Sequence, residues 1–148
     1  RLIGYENRDI ADKDFRNDRV DAGEVGAGHA VTALYELKLA PHTRFANAAT
    51  ARIRYETPGA DKAAEERAWV FSVSVLSLPA SKELKLAYTA ATFAEILRHS
   101  PNAAGISLDD LTLYGRGAQR TGKRYDVELL SLMEKAHQLK VGDKIGSN

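Results

Sequence analysis

Hydrophobic and polar positions change period once along the chain, near Pro79, and that change divides the sequence into two kinds of element. Upstream, a period of two dominates. Over 51–57, Ala51, Ile53 and Tyr55 fall on one side and Arg52, Arg54 and Glu56 on the other, which predicts a strand with one wet face. Trp69, Phe71, Val73 and Val75 repeat the alternation over 69–76, and Thr57-Pro-Gly-Ala-Asp61 between the two runs is a turn signal. Nearer the start, Leu2-Ile3-Gly4-Tyr5 is a short apolar run. Val31, Ala33, Tyr35 and Leu37 alternate with Thr32, Leu34 and Glu36 in the manner of a largely buried strand. A charged and then glycine-rich connection, residues 9–29, lies between these two. Compact domains seldom keep so long a structureless link unless it binds something or packs on a partner.

Downstream of Pro79 the period becomes helical. Ser81 is a candidate N-cap with Glu83 in the first turn, and Leu84, Ala87, Ala91, Ala94 and Leu97 form a stripe widened by Tyr88, Phe93 and Ile96. Ser100-Pro-Asn102 ends that helix, because the residue before a proline is pushed out of the helical region. Ser107-Leu-Asp-Asp110 has a capping-box form and starts a shorter helix to about Gly115. A third helix is expected from about Lys123 to Lys140, with Leu129, Leu132, Met133, Ala136 and Leu139 on one side and a frayed tail from Val141 onward. No internal repeat, coiled-coil heptad run or low-complexity tract is present. Strands followed by helices give an α+β class: an antiparallel β-sheet or sandwich built mainly from the N-terminal half, packed with about three helices from the C-terminal half. The expected organisation is a single domain over 1–148, β-rich over 1–78, helical over 79–140, with a tail over 141–148.

Composition narrows the chemistry. A length of 148 residues supports a real core without metal or disulfide staples. Lys and Arg total 21 against 20 Asp and Glu, so bulk charge favours neither nucleic acid nor an anionic membrane. The absence of cysteine removes disulfides, thiolate metal sites and thiol nucleophiles together. No run reaches the roughly twenty apolar residues of a membrane helix, and no membrane insertion of this segment is expected. Because the chain opens on Arg1 inside a strand-like pattern, it is expected to be a portion of something longer.

Candidate functional groups lie mainly in the connection. Gly23-Glu-Val-Gly-Ala-Gly-His29 resembles a phosphate loop, but no Gly-Lys-Ser/Thr ends it and a strand, not a helix, follows. Asp9, Asp12, Asp14, Asp18 and Asp21 suggest calcium, yet Arg8, Lys13, Arg16 and Arg19 interleave with them and the EF-hand ligand spacing is missing. His29, at the mouth of the second strand with Asp21 and Glu24 near in sequence, is weighed as a general base against a histidine whose ring fixes the turn; the turn-fixing role is the expectation. Ser131, Glu134 and His137 share a helix face and read as surface residues. Arg116, Arg120, Lys123 and Arg124, with Tyr114 and Tyr125, form the densest basic cluster, a candidate anion contact in a glycine-rich helix-to-helix connection.

Arg-Leu-Ile-Gly-Tyr-Glu-Asn-Arg at 1–8, Asp14-Phe15 and Asp21-Ala-Gly-Glu-Val-Gly-Ala-Gly-His-Ala-Val-Thr-Ala-Leu-Tyr-Glu-Leu37 resemble the C-terminal region of bacterial von Willebrand factor type A domain proteins of the YfbK-like kind. Phe-Ala-Glu-Ile-Leu-Arg and Ser-Leu-Asp-Asp-Leu fit that family's closing helices, and Ala30 stands where the family carries threonine. The resemblance implies an upstream type A domain in the parent protein and sorting to the cell envelope or periplasm, and it carries no catalytic residue. The Asp-x-Ser-x-Ser metal motif of a type A domain is absent from all 148 residues, so its magnesium site does not transfer.

The expectation is therefore a non-enzymatic accessory module, a structural platform or protein-interaction surface using the loop 9–29. Asp21, Glu24 and His29 are its partner-binding candidates, and the type A domain together with a further, unidentified protein are the expected partners. No cofactor, metal or nucleic acid is expected. The competing expectations are a hydrolase using His29 with a loop carboxylate, and weak binding of nucleic acid or another anionic polymer by 114–125.

Overall fold

The structure, a computed structural model, describes residues 1–4, 12–17, 19–20, 23–39, 47–59 and 64–145. The architecture is α+β: β1 (Ala49–Tyr55) and β2 (Glu65–Phe71) form a two-stranded antiparallel sheet, and the helices α1 (Lys82–Leu97), α2 (Leu108–Ala118) and α3 (Arg124–Ile145) follow. The chain divides into two compact units. One comprises Arg1–Glu6, Thr32–Glu36 and Ala80–Asn148, the other Asn7–Val31 and Leu37–Pro79.

The helical unit forms where the sequence places its caps. Ser81 Oγ accepts the Leu84 N–H at 3.1 Å, and Ser107 Oγ accepts the N–H groups of Asp109 and Asp110, so both caps satisfy donors the helices leave open. At the end of α1, His99 adopts a left-handed φ of 55° and the Ser100 N–H reaches back to the Glu95 carbonyl at 2.9 Å, a Schellman-type stop ahead of Pro101. Phe93, Ile96, Ala103, Leu108, Leu111, Leu130 and Met133 form the buried core. Gly115 lets α1 and α2 approach: a Cβ there would lie 2.9 Å from Thr89 Cγ2 and 3.2 Å from Leu130 Cδ2.

Several boundaries differ from the sequence expectation. α2 continues past Gly115 to Ala118, so Gly115 and Gly117 are helical and only Gly122, with φ of 73°, belongs to the connecting turn. α3 runs to Ile145, where a tail had been expected from residue 141. The buried positions of α1 are Leu86, Thr89, Thr92, Phe93, Glu95 and Ile96, rotated from the expected stripe, and Leu84 and Leu97 are exposed. The cause is a second packing surface: the N-terminal segment lies along α1, with Gly4 against Ala91 and Arg1 on Glu95.

The two opening strands reduce to one antiparallel bridge, Leu2 with Tyr35, made by the Ile3 N–H to Leu34 C=O and Glu36 N–H to Arg1 C=O bonds. Val31, Tyr35 and Leu37 are exposed, contrary to the largely buried strand expected there, and among the described residues the bridge to Leu2 is the pairing this segment makes. The strand expected over 69–76 stops at Phe71, and Val73–Ser77 is a 3-10 helix. Phe71 pairs with Ala49, the first residue of β1, so the ladder has no partner for Ser72 onward. The run of alternating serines there favours local turns.

Candidate functional site

The register of the hairpin decides what each face carries. Directly opposed residues share a face, so Ala49, Phe71, Ala51, Trp69 and Ile53 lie together, followed toward the turn by Arg67, Tyr55 and Glu65. The other face holds Thr50, Val70, Arg52, Ala68, Arg54 and Glu66. On the first face Trp69 is 46%, Phe71 44% and Ile53 54% exposed, an apolar strip open to solvent. Its turn end is polar and closed on itself: the Tyr55 hydroxyl donates to Glu65 at 2.8 Å, and the Arg67 guanidinium stands 5.9 Å from the Tyr55 ring centroid.

The polar face is occupied. Arg16 donates from Nε and Nη2 to the two carboxylate oxygens of Glu66 at 2.8 and 2.9 Å, and Arg52 lies 3.8 Å from the same carboxylate. The hydrogen bonds from Arg16 hold the Glu66 carboxyl below its ordinary range. Arg16 belongs to the long connection, which is built of successive turns: a 3-10 turn at Asp12–Asp14, then the Asn17 N–H to Asp14 C=O and Val20 N–H to Asn17 C=O bonds. The described part of the connection around Arg16 is thus fastened to β2.

Of the candidates in this connection, Glu24 and His29 are exposed, and among the described residues no hydrogen bond or ion pair joins them; Asp21 lies outside the described residues. The His29 backbone N–H, not its ring, closes the turn by donating to the Gly26 carbonyl at 3.0 Å, with Gly28 at φ of 78°. The ring stacks close to Gly26, with Nδ1 3.0 Å from where a Cβ would stand. Among the described residues, no three His, Asp or Glu side chains converge in metal-ligand fashion. Asp9, Asp18 and Asp21 of the calcium pattern lie outside the described residues.

The basic cluster lies between the end of α2 and the start of α3, around an open groove of about 630 Å³ lined by Arg116, Arg120, Lys123 and Arg124 with Gln119 and Val127. Carboxylates face three of these cations. Arg116 pairs with Glu134, and Arg124 with Glu128 at 2.6 Å. Arg120 donates from Nη2 and Nε to both oxygens of Asp126 at 2.7 and 2.9 Å, adds its backbone N–H at 3.0 Å, and reaches Glu83 at 3.4 Å. Asp126 is buried, and the hydrogen bonds from Arg120 hold its carboxyl down at about 2 while the Arg120 guanidinium is raised in turn. Three of the four cations thus meet four carboxylates, Glu83, Asp126, Glu128 and Glu134, which offset the positive charge of the groove. Ser131, Glu134 and His137 are separated in the same way, since Glu134 serves Arg116 and His137 Nδ1 lies 2.9 Å from Asp109.

Sequence reasoning missed the openness of the Trp69 strip, because alternation marks an apolar face without saying what covers it. It also missed Glu95, a buried carboxylate on α1 that accepts from Arg1 Nη1 at 3.0 Å and from the Gly4 N–H at 3.3 Å. A charged residue inside an apolar helical stripe was its only signal.

The chain belongs to the family described as "Uncharacterized protein YfbK, C-terminal", whose model matches residues 1–139. It is similar to the "Uncharacterized protein YfbK" of Escherichia coli (strain K12), 54% identical over 39 residues, which is 26% of this chain and 7% of that protein's length. No solved structure matches the chain. Among the described residues, no helix is long and apolar enough to cross a membrane.

Proposed function

We propose that this chain is a non-enzymatic accessory module that docks onto the type A domain of a larger envelope protein. Its docking surface is the open face of the hairpin, Ile53, Trp69 and Phe71, extended by the connection over 9–29. The observation that carries this reading is the inequality of the two faces. The polar face is engaged by Arg16, whereas the apolar face stands open, and an isolated two-stranded hairpin is marginal in water unless a third element covers its apolar side. Fastening of the connection to β2 supports a surface of fixed shape, which keeps the ordering cost of association low. Aromatic side chains at the centre of a patch with a polar border are what partner surfaces use as anchors. Glu24 and His29, both exposed, are offered as polar contacts of the connection, together with Asp21, which lies outside the described residues.

Deleting residues 9–28 tests the reading. The helical unit keeps its far-ultraviolet circular dichroism, and affinity for a separately produced type A domain falls. Unchanged affinity overturns the role of the connection.

A further inference from the structure

α3 carries two apolar stripes, and only one is used by the core. Asp126, Leu130 and Met133 are buried. Beside them Tyr125, Leu132 and Leu139 recur every seven residues at 80%, 56% and 72% exposure, and Leu129 and Ala136, partly buried against the core, fill the intervening positions. The five residues follow the 3,4 spacing of a heptad seam over about 21 Å of helix. Two heptads are too short to make a free coiled coil, but α3 is already held as a helix by its core stripe, so the usual nucleation cost is met before any pairing.

The charges bordering the seam identify its occupant. On the solvent side it is flanked by Glu128 and Lys135, one heptad apart. Glu128 makes only an exposed pair with Arg124, a weak and exchangeable contact, and Lys135 has no carboxylate partner among the described residues. We infer that α3 pairs antiparallel with α3 of a second copy of this chain. In one register Tyr125 faces Ala136, Leu129 faces Leu132, and the symmetry repeats both layers, so large meets small and leucine meets leucine. The same register sets Glu128 opposite Lys135 of the second copy, twice. Sliding by one heptad in either direction sets Lys135 against Lys135 or Glu128 against Glu128. The flanking charges therefore select that register and oppose its neighbours. In this register Leu139 lies beyond the paired layers, because the position opposite it falls before α3, and Tyr125 and Leu132 together offer roughly 280 Å² per copy, about a third of one partner's share in a standard interface. The dimer is accordingly weak and reversible.

Sedimentation velocity on this chain over roughly 5 to 500 µM tests it. The expected result is a monomer–dimer equilibrium. Leu132→Glu gives monomer throughout with unchanged helix content. Glu128→Lys or Lys135→Glu alone weakens the dimer about fivefold or more, and the double exchange restores it to within about twofold. A monomer at every concentration, a dimer insensitive to Leu132→Glu, or a double variant no tighter than the single ones overturns the inference. The hairpin face takes no part, so this result and the docking result are separable.

Discussion

Arg16 grips Glu66 through two parallel hydrogen bonds, Nε to Oε2 at 2.8 Å and Nη2 to Oε1 at 2.9 Å, and so ties the long connection to the start of β2, fifty residues away. A lysine cannot reproduce this fork. Arg16→Lys and Arg16→Ala are both expected to speed amide exchange over 12–20 while leaving the melting of the helical unit unchanged. Glu66 titrates below its ordinary range because Arg16 donates to its ionised form. The tie is complete above the unfolded carboxyl's range and weakens as pH falls through the lowered folded value. Exchange over 12–20 that is identical in wild type and Arg16→Ala at neutral pH contradicts it.

Asp126 gives the helical unit its own acid dependence. Its carboxyl is lowered from 3.8 to about 2, chiefly by the hydrogen bonds from Arg120. A depressed folded value means that the contribution is present above about 4 and disappears as pH falls toward 2. Asp126→Asn is expected to melt lower than wild type at pH 7, and the gap should close between pH 4 and pH 2. A gap independent of pH contradicts the assignment.

Gly4 is needed for two separate reasons. Its φ of 89° is left-handed, and a Cβ would lie 2.8 Å from that of Ala91. Gly4→Ala is expected to cost about 1–3 kcal/mol, from backbone strain and a clash with α1 together. Ala91→Gly should recover the clash and leave the strain. Denaturant melts of the two single variants and the double variant separate the contributions.

Met133 is fully buried at the centre of the helical core. Met133→Ala is expected to destabilise that unit by about 2–5 kcal/mol, through lost burial and a residual cavity. A loss below 1 kcal/mol in a chemical melt would show that this core is looser than its burial indicates.

Local signals were the ones legible in the sequence. Ser81 and Ser107 cap where their side chains and following acidic residues predict, because a cap is decided within four residues. The alternation over 51–55 marks most of β1, whereas that over 69–76 meets only the last three residues of β2, which begins at Glu65. Strand ends were not legible: Val73 and Val75 continue the pattern of Trp69 and Phe71, but β1 offers no partner past Ala49, and pairing depends on residues far along the chain. The rotation of α1 escaped notice for the same reason, since the segment carrying Arg1 and Gly4 packs on it from more than eighty residues away. Of the candidate site, the basic residues were visible, but the carboxylates that face them, Glu83, Asp126, Glu128 and Glu134, come from two helices and were not.

Trp69 is the sole tryptophan of the chain and stands on the surface assigned to docking. Labelling the chain with 5-fluorotryptophan therefore gives a single fluorine resonance that reports on that face. Titration with an unlabelled type A domain from the parent protein is predicted to shift or broaden the resonance saturably, and to do so more weakly in Phe71→Ser. A resonance unmoved at saturating partner, or one that moves identically in Phe71→Ser, would contradict the account.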